Sequence, residues 1–342
     1  MPSLFPFLRL PILIQLLILK NASLLDLFYF SQISKRFKHI VKLLNSTLST
    51  VSWNVDNHLK QNSLELHDSH GSKLFLSFKF DPARDRVPSG QIGFNGTFLP
   101  VEWERRGSGT RNERTNWIDH FTKHVLDMFK VTNYELTICN CLNIHDCFVW
   151  KYTKVFDSVK VMDIYFDPVL ATEQTKFILE QLIITDRLEF SNRVVDVFRY
   201  SGPLKMKRLK VEKAHWLELE AVLNMDCEDL RLNQSSFTYE DLNTIIQIWL
   251  TGGLKNLKHF EVNNFNRDPD MSKDAKLDHV LDGIETFPWD IKNRPGMISD
   301  YQCQNGRDFR RSDGTIATVD IVAHWSADIF LFHIWHPSTA PQ

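Results

Sequence analysis

The run from Leu10 to Leu19 is apolar almost throughout, and this stretch limits the fold more than any other. A bilayer span needs about 20 apolar residues, so the run is too short to cross a membrane. Two readings remain. In one it is the apolar core of a signal peptide. Arg9 then precedes it, Pro6 and Pro11 interrupt it or its approach, and no small-x-small cleavage pattern follows. In the other it opens a small helical module. A module of roughly 40 residues buries too little of its surface to be stable alone. Its apolar side chains outnumber what three short helices can hide, and such a surplus marks an interface.

Residues 5–43 read as three helices. Pro11 sits where a first-turn proline is tolerated. Ile14, Leu17 and Ile18 follow at helical spacing. Ser23 to Asp26 has the form of a capping box and opens the second helix. Ser31 or Ser34 starts the third, with Ile33, Phe37, Ile40 and Val41 on its apolar side. Arg9, Lys20, Lys35, Arg36, Lys38 and Lys42 stand against Asp26 alone. That imbalance suits an acidic protein partner and equally describes a solvated helix face.

Residues 45–105 are β-rich. Leu64 and Leu66, then Leu74, Leu76, Phe78 and Phe80, alternate with mostly polar residues around the turn Asp68-Ser-His-Gly71, as in a hairpin. Arg105 to Asn116 reads as a loop, and Trp117 to Phe129 as an amphipathic helix. From about residue 134 the pattern becomes periodic. Strands are predicted near Leu136, Val161, Leu188, Leu209, Leu230 and Leu257, at spacings in the range of leucine-rich repeats. The clearest unit has Leu242, Ile245, Ile246, Trp249 and Leu250 as a helical stripe. A capping box from Thr238 to Asp241 opens that helix, and Gly252-Gly253 closes it. Residues 265–300 are polar with few strand signals. Ile316 to Val322 and Phe330 to Trp335 are predicted to pair and cap the domain. The fold class is therefore α+β. A three-helix module at 4–45 is followed by a larger domain at 46–342. Within that domain comes a β-rich segment, then an irregular leucine-rich-repeat-like α/β part at about 134–263, closed by C-terminal strands.

The net charge of −2, from 40 basic and 42 acidic residues, gives no global field for nucleic acid or an anionic membrane. The five cysteines, Cys139, Cys141, Cys147, Cys227 and Cys303, do not form a disulfide framework and fit a reducing compartment. Asn21, Asn45, Asn95 and Asn233 stand in glycosylation sequons, which would carry sugar only if the chain were secreted. Gly107-Ser-Gly-Thr110 lacks the rest of a P-loop, and no G-x-S-x-G elbow occurs. His120 and His124 share a helix face without the glutamate of a zinc protease. Cys139, Cys141, His145 and Cys147 form a conceivable zinc set or, alternatively, buried cysteines of a repeat strand. No residue stands out as acid, base or nucleophile. The expectation is a non-enzyme without cofactor or metal.

Phe5 to Ile18, followed by Leu24-Leu-Asp-Leu-Phe-Tyr-Phe-Ser-Gln-Ile-Ser-Lys-Arg-Phe-Lys-His-Ile-Val41, resembles an F-box. Phe237 to Asn243 with Trp249-Leu-Thr-Gly252, and Arg311 to Thr318 with Phe332-His-Ile-Trp335, resemble the type 2 F-box-associated domain of a large nematode family. Members of that family usually carry a glutamate soon after the Leu-Pro pair; here Ile12, Leu13 and Ile14 follow. The resemblance implies a substrate receptor. Its F-box would bind a Skp-type adaptor and, through it, a cullin–RING ubiquitin ligase, and its larger domain would hold a protein substrate. The implied adaptor-facing or supporting residues are Leu10, Pro11, Ile14, Ile18, Leu24, Leu27 and Phe30. Nucleic acid and membrane are not implied as partners, and the implied location is the cytoplasm or nucleus. The runner-up reading is a secreted, glycosylated binding protein.

Overall fold

The computed structural model describes residues 7–56, 61–79, 89–94, 97–102, 116–140, 143–162, 169–265, 270–288, 306–324 and 327–335. The sequon at Asn95, most of the 105–116 loop, Phe80, Cys141, Cys303 and all of 289–300 lie outside the described residues. The chain forms two units, Met1–Val159 and Lys160–Gln342.

The first unit opens with three helices, α1 (Ile12–Lys20), α2 (Leu24–Ile33) and α3 (Lys35–Leu43). Pro11 is the N-cap of α1, and its carbonyl accepts from the amides of Ile14 and Gln15. The capping box of α2 is formed: the Asp26 amide donates to Ser23 Oγ, and the Ser23 amide donates back to Asp26. Ser34, not Ser31, caps α3. Ile33 is accordingly the last residue of α2 rather than part of the third helix, and it is exposed.

Strands β1 (Thr47–Asp56), β2 (Gln61–Asp68), β3 (Lys73–Lys79), β4 (Ser89–Phe94) and β5 (Thr97–Glu102) follow in an antiparallel meander. Asp68 accepts from the amides of His70 and Ser72, which makes the turn between β2 and β3. Helix α4 (Asn116–Met128) leads to β6 (Lys130–Cys139), which pairs in parallel with β1. Leu48, Val51 and Trp53 of β1 are buried, as are Phe121 and Val125 of α4. Trp53 Nε1 donates to Thr122 Oγ1 at 3.0 Å, which joins strand to helix.

The unit boundary falls within β7 (Val155–Met162). In the second unit, β8 (Ile183–Phe190), β9 (Arg208–Val211), β10 (Asp229–Asn233) and β11 (His259–Asn263) run parallel. Leu188, Leu209 and Leu230 occupy one register across β8 to β10. Phe260 continues the register on β11, so Leu257 lies in the turn before the strand instead of on it. The connections are uneven: α5 (Thr172–Lys176) continues into a π-turn at Phe177–Gln181, and α6 (Leu219–Leu223) is short. Only α7 (Tyr239–Leu250) is a full helix. Its capping box is formed by Thr238 and Asp241, and Leu242, Ile245, Ile246 and Trp249 are buried.

Residues 265–300 hold a helix the polar pattern does not announce, α8 (Lys273–Val280), and a short strand, β12 (Phe287–Pro288). β13 (Arg307–Arg310), β14 (Ile316–His324) and β15 (Ala327–Trp335) complete the sheet. β14 and β15 pair antiparallel, and β15 joins the parallel set through β11. Trp249 packs edge-on against Phe309 and Phe332, which fastens α7 to these strands.

Candidate docking surface on the N-terminal helices

Helix α1 has apolar residues on every side, so its sequence does not say which face turns inward. The structure buries Gln15 and Leu19 and half-buries Leu16. Ile12, Leu13, Ile14, Leu17 and Ile18 are left exposed, Leu13 at 70% and Leu17 at 60%. A glutamine is inside while five aliphatics face out. Its Nε2 donates to Leu10 O at 2.6 Å, which ties the chain before the helix to the helix.

The other two helices hold this exposed face in place. Phe28 of α2 is buried against Phe121 and meets the edge of the His124 ring, both on α4. The Ser31 hydroxyl donates to Phe28 O at 2.6 Å and lies 2.7 Å from His124 Nε2. With its only proton on Phe28, Ser31 accepts, so Nε2 carries the hydrogen. Burial, then the nearby Lys38 and His120, push the pKa of His124 down to about 4. On α3, Lys38 reaches Asp127 of α4 at 2.8 Å. Phe7, Phe30 and Phe37 stack with ring centres 5.6–6.4 Å apart, and Arg36 donates to Leu8 O.

Of the residues singled out from the sequence, Pro11, Ile14 and Ile18 are exposed, and Leu10 and Phe30 are half-buried. Leu24 and Leu27 are buried inside the module. Sequence reasoning passed over Ile12 and Leu13, and also Tyr29 and Ile33, a further exposed pair one turn apart on α2. The basic residues Lys38 and Lys42 point to Asp127 of the same unit.

A second surface lies on the parallel strands of the other unit. Leu188, Leu209 and Leu230 point inward, so their neighbours Arg187, Glu189, Arg208, Lys210, Asp229 and Arg231 point out. They line a cleft of about 230 Å³. Arg208 pairs with Asp186, Arg231 grips Asp229 through two contacts of 3.1 Å, and Lys210 reaches Glu212 at 2.8 Å. The alternation in Arg208-Leu-Lys-Val211 and Asp229-Leu-Arg-Leu232 is the signal that carries this face. The same row continues into His259, His333, Thr318 and Asp308 across β11, β15, β14 and β13. There it is buried. The two imidazoles stack 4.5 Å apart, and burial with the neighbouring His259 pushes the pKa of His333 down to about 3.

Among the described residues no group of three or more His, Cys, Asp or Glu is placed to hold a metal. Cys139 and Cys147 are buried thiols, His145 is exposed, and His120 is exposed while His124 serves Ser31. Among the described residues, no helix is long and apolar enough to cross a membrane.

Residues 7–49 match the family model described as the F-box domain. The chain carries an F-box domain. Residues 198–262 match a second model, described as F-box associated, of type 2. The first match covers α1 to α3, and the second covers β9 to β11 with α6 and α7. The pairing is that of a non-catalytic adaptor family, and an F-box implies a Skp-type partner. No curated protein and no solved structure matches the chain.

Proposed function

We propose that this F-box protein is the substrate receptor of a Skp–cullin–F-box ubiquitin ligase, working in the cytoplasm or nucleus. Residues 4–45 dock the Skp-type adaptor, which links to a cullin–RING ligase, and residues 46–342 hold a protein substrate. The five exposed aliphatics of α1 carry this reading, because a helix anchored on its other side presents them to a partner. Pro11, Ile14 and Ile18 touch the adaptor directly. Leu10 and Phe30 border the contact, and Leu24 and Leu27 support it from within. The substrate lies along the parallel strands, within the part at about 134–263 that we read as irregularly leucine-rich-repeat-like; the shared register of Leu188, Leu209 and Leu230 supports that reading. Ubiquitin transfer follows from proximity, since tethering raises the local concentration of the target at the ligase. The test is co-purification of a recombinant Skp-type adaptor with the full chain and with Ile14→Asp/Ile18→Asp. The double variant is expected to lose the adaptor while keeping its far-UV circular dichroism. Undiminished capture refutes the assignment.

A further inference from the structure

The loops that leave β8, β9 and β10 gather at one end of the parallel strands, and they enclose a cleft of about 400 Å³ lined by Arg193, Asp196, Lys213, His215 and Gln234. Three features single this one out. His215 Nε2 is buried and has no hydrogen-bond partner among the described residues. Such an atom is costly unless something supplies the partner. The lining charges are uneven, with Arg193 and Lys213 against Asp196, and the His215 pKa is held below its ordinary value, first by burial. Val197, next to Asp196, is 88% exposed, beyond any other large apolar side chain among the described residues.

The loop that carries Val197 is held firmly. Leu170 exchanges backbone hydrogen bonds with Arg193 and Val195, and the Phe198 amide closes a turn onto Val195. Arg193 grips both oxygens of Asp196 at 3.2 and 3.3 Å, and Arg199 reaches Glu218 at 3.2 Å. Gln234 holds φ of 54° with its amide on Asn263 O. A non-glycine residue in that region persists where its surroundings over-determine it. The cleft is therefore a preformed, cation-biased recess, and the exposed Val197 follows its lining residue Asp196 in the chain.

We propose that this cleft reads the substrate by taking in an acidic side chain of a peptide segment, with an apolar neighbour of that side chain resting on Val197. Arg193 and Lys213 draw in the carboxylate, and His215 Nε2 gains the partner it lacks. The inference rests on the substrate-receptor reading and names the substrate class: a segment with aspartate or glutamate beside an aliphatic residue.

The test uses the full chain and a fluorescein-labelled peptide with glutamates beside a leucine, compared with the same peptide carrying glutamines. At low salt the glutamate peptide is expected to bind at least about tenfold more tightly, and the preference to shrink as salt screens it. Arg193→Glu/Lys213→Glu is expected to abolish the preference, and the milder His215→Gln to weaken it severalfold. Equal binding of the two peptides by the natural chain overturns the inference, as does a preference that survives both variants. Adaptor capture measured on the same preparations separates the two readings. Preference absent with adaptor capture intact removes this inference alone; capture absent with preference intact removes the ligase reading alone.

Discussion

Acidification is expected to loosen the F-box helices from α4, and His124 sets the size of the effect. In the docked state its pKa is about 4, against an ordinary value of 6.5. When α2 lifts away, the imidazole regains water and its ordinary value. Above pH 6.5 it is neutral in both states, and docking keeps its full stability. As pH falls from 6.5 towards 4, the open state binds a proton that the docked state refuses, so stability is lost. By pH 5 the loss is about 2 kcal/mol, or about 30-fold in the opening equilibrium, and it levels off at about 3.4 kcal/mol well below pH 4. The assay is hydrogen exchange of the α2 and α4 amides in the full chain at pH 8 and pH 5, corrected for intrinsic exchange rates. Protection of α2 is expected to fall about 30-fold in the natural chain. His124→Gln keeps an N–H donor for Ser31 but does not titrate, so its protection is expected to stay nearly level. The same fall in both proteins refutes the argument.

Two leucines on α1 separate docking from folding. Leu17→Asp, at a 60% exposed site, is expected to change unfolding free energy by no more than about 0.5 kcal/mol yet abolish adaptor capture. Leu19→Asp, at a 1% exposed site, is expected to lower stability by about 3 kcal/mol or more, because it buries an unpaired carboxylate; urea titration distinguishes them. Thr238→Ala removes the cap of α7 and is expected to cost about 1 kcal/mol in the same titration. Trp249→Ala, which empties the seam between α7 and the strands of Phe309 and Phe332, is expected to cost about 3–5 kcal/mol. The Cys227 thiol, pushed up to about 12 chiefly by burial, is expected not to react with a thiol reagent at pH 8 until the protein is unfolded.

What could be read from the sequence was local. Ser23 with Asp26, and Thr238 with Asp241, announce helix starts through short-range hydrogen bonds, and both caps form. Alternation in Asp229-Leu-Arg-Leu232 marks a strand with one buried face, and it is one. Helix α8 escaped notice because its apolar residues form no stripe; only Leu277 and Val280, with the stem of Lys276, are buried. The burial of His259 and His333 was out of reach for another reason. It depends on β11 meeting β15 across 74 residues of sequence, and no local pattern encodes that register. On α1 the apolar surplus was visible but its direction was not, because a helix that is apolar all round has no preferred face until its neighbours choose one.

That surplus also limits how the adaptor binds. Full burial of one aliphatic side chain is worth about 1.5–3 kcal/mol. The five exposed residues of α1 already hide part of their surface, so a partner covering the rest gains roughly half of that from each, about 4–8 kcal/mol in all. Association costs an estimated 4–15 kcal/mol in lost freedom and ordering. The outer face of α1 therefore cannot hold a partner stably by itself, and a docked adaptor must reach further apolar surface. Tyr29 and Ile33, one turn apart and exposed on α2, and Leu43 at the end of α3 are what these helices have left to offer. If the adaptor uses them, Ile33→Asp weakens capture much as Leu17→Asp does while sparing the Phe28–His124 seam. If it does not, the missing affinity has to come from elsewhere in the chain, and residues 4–45 are not the whole docking element.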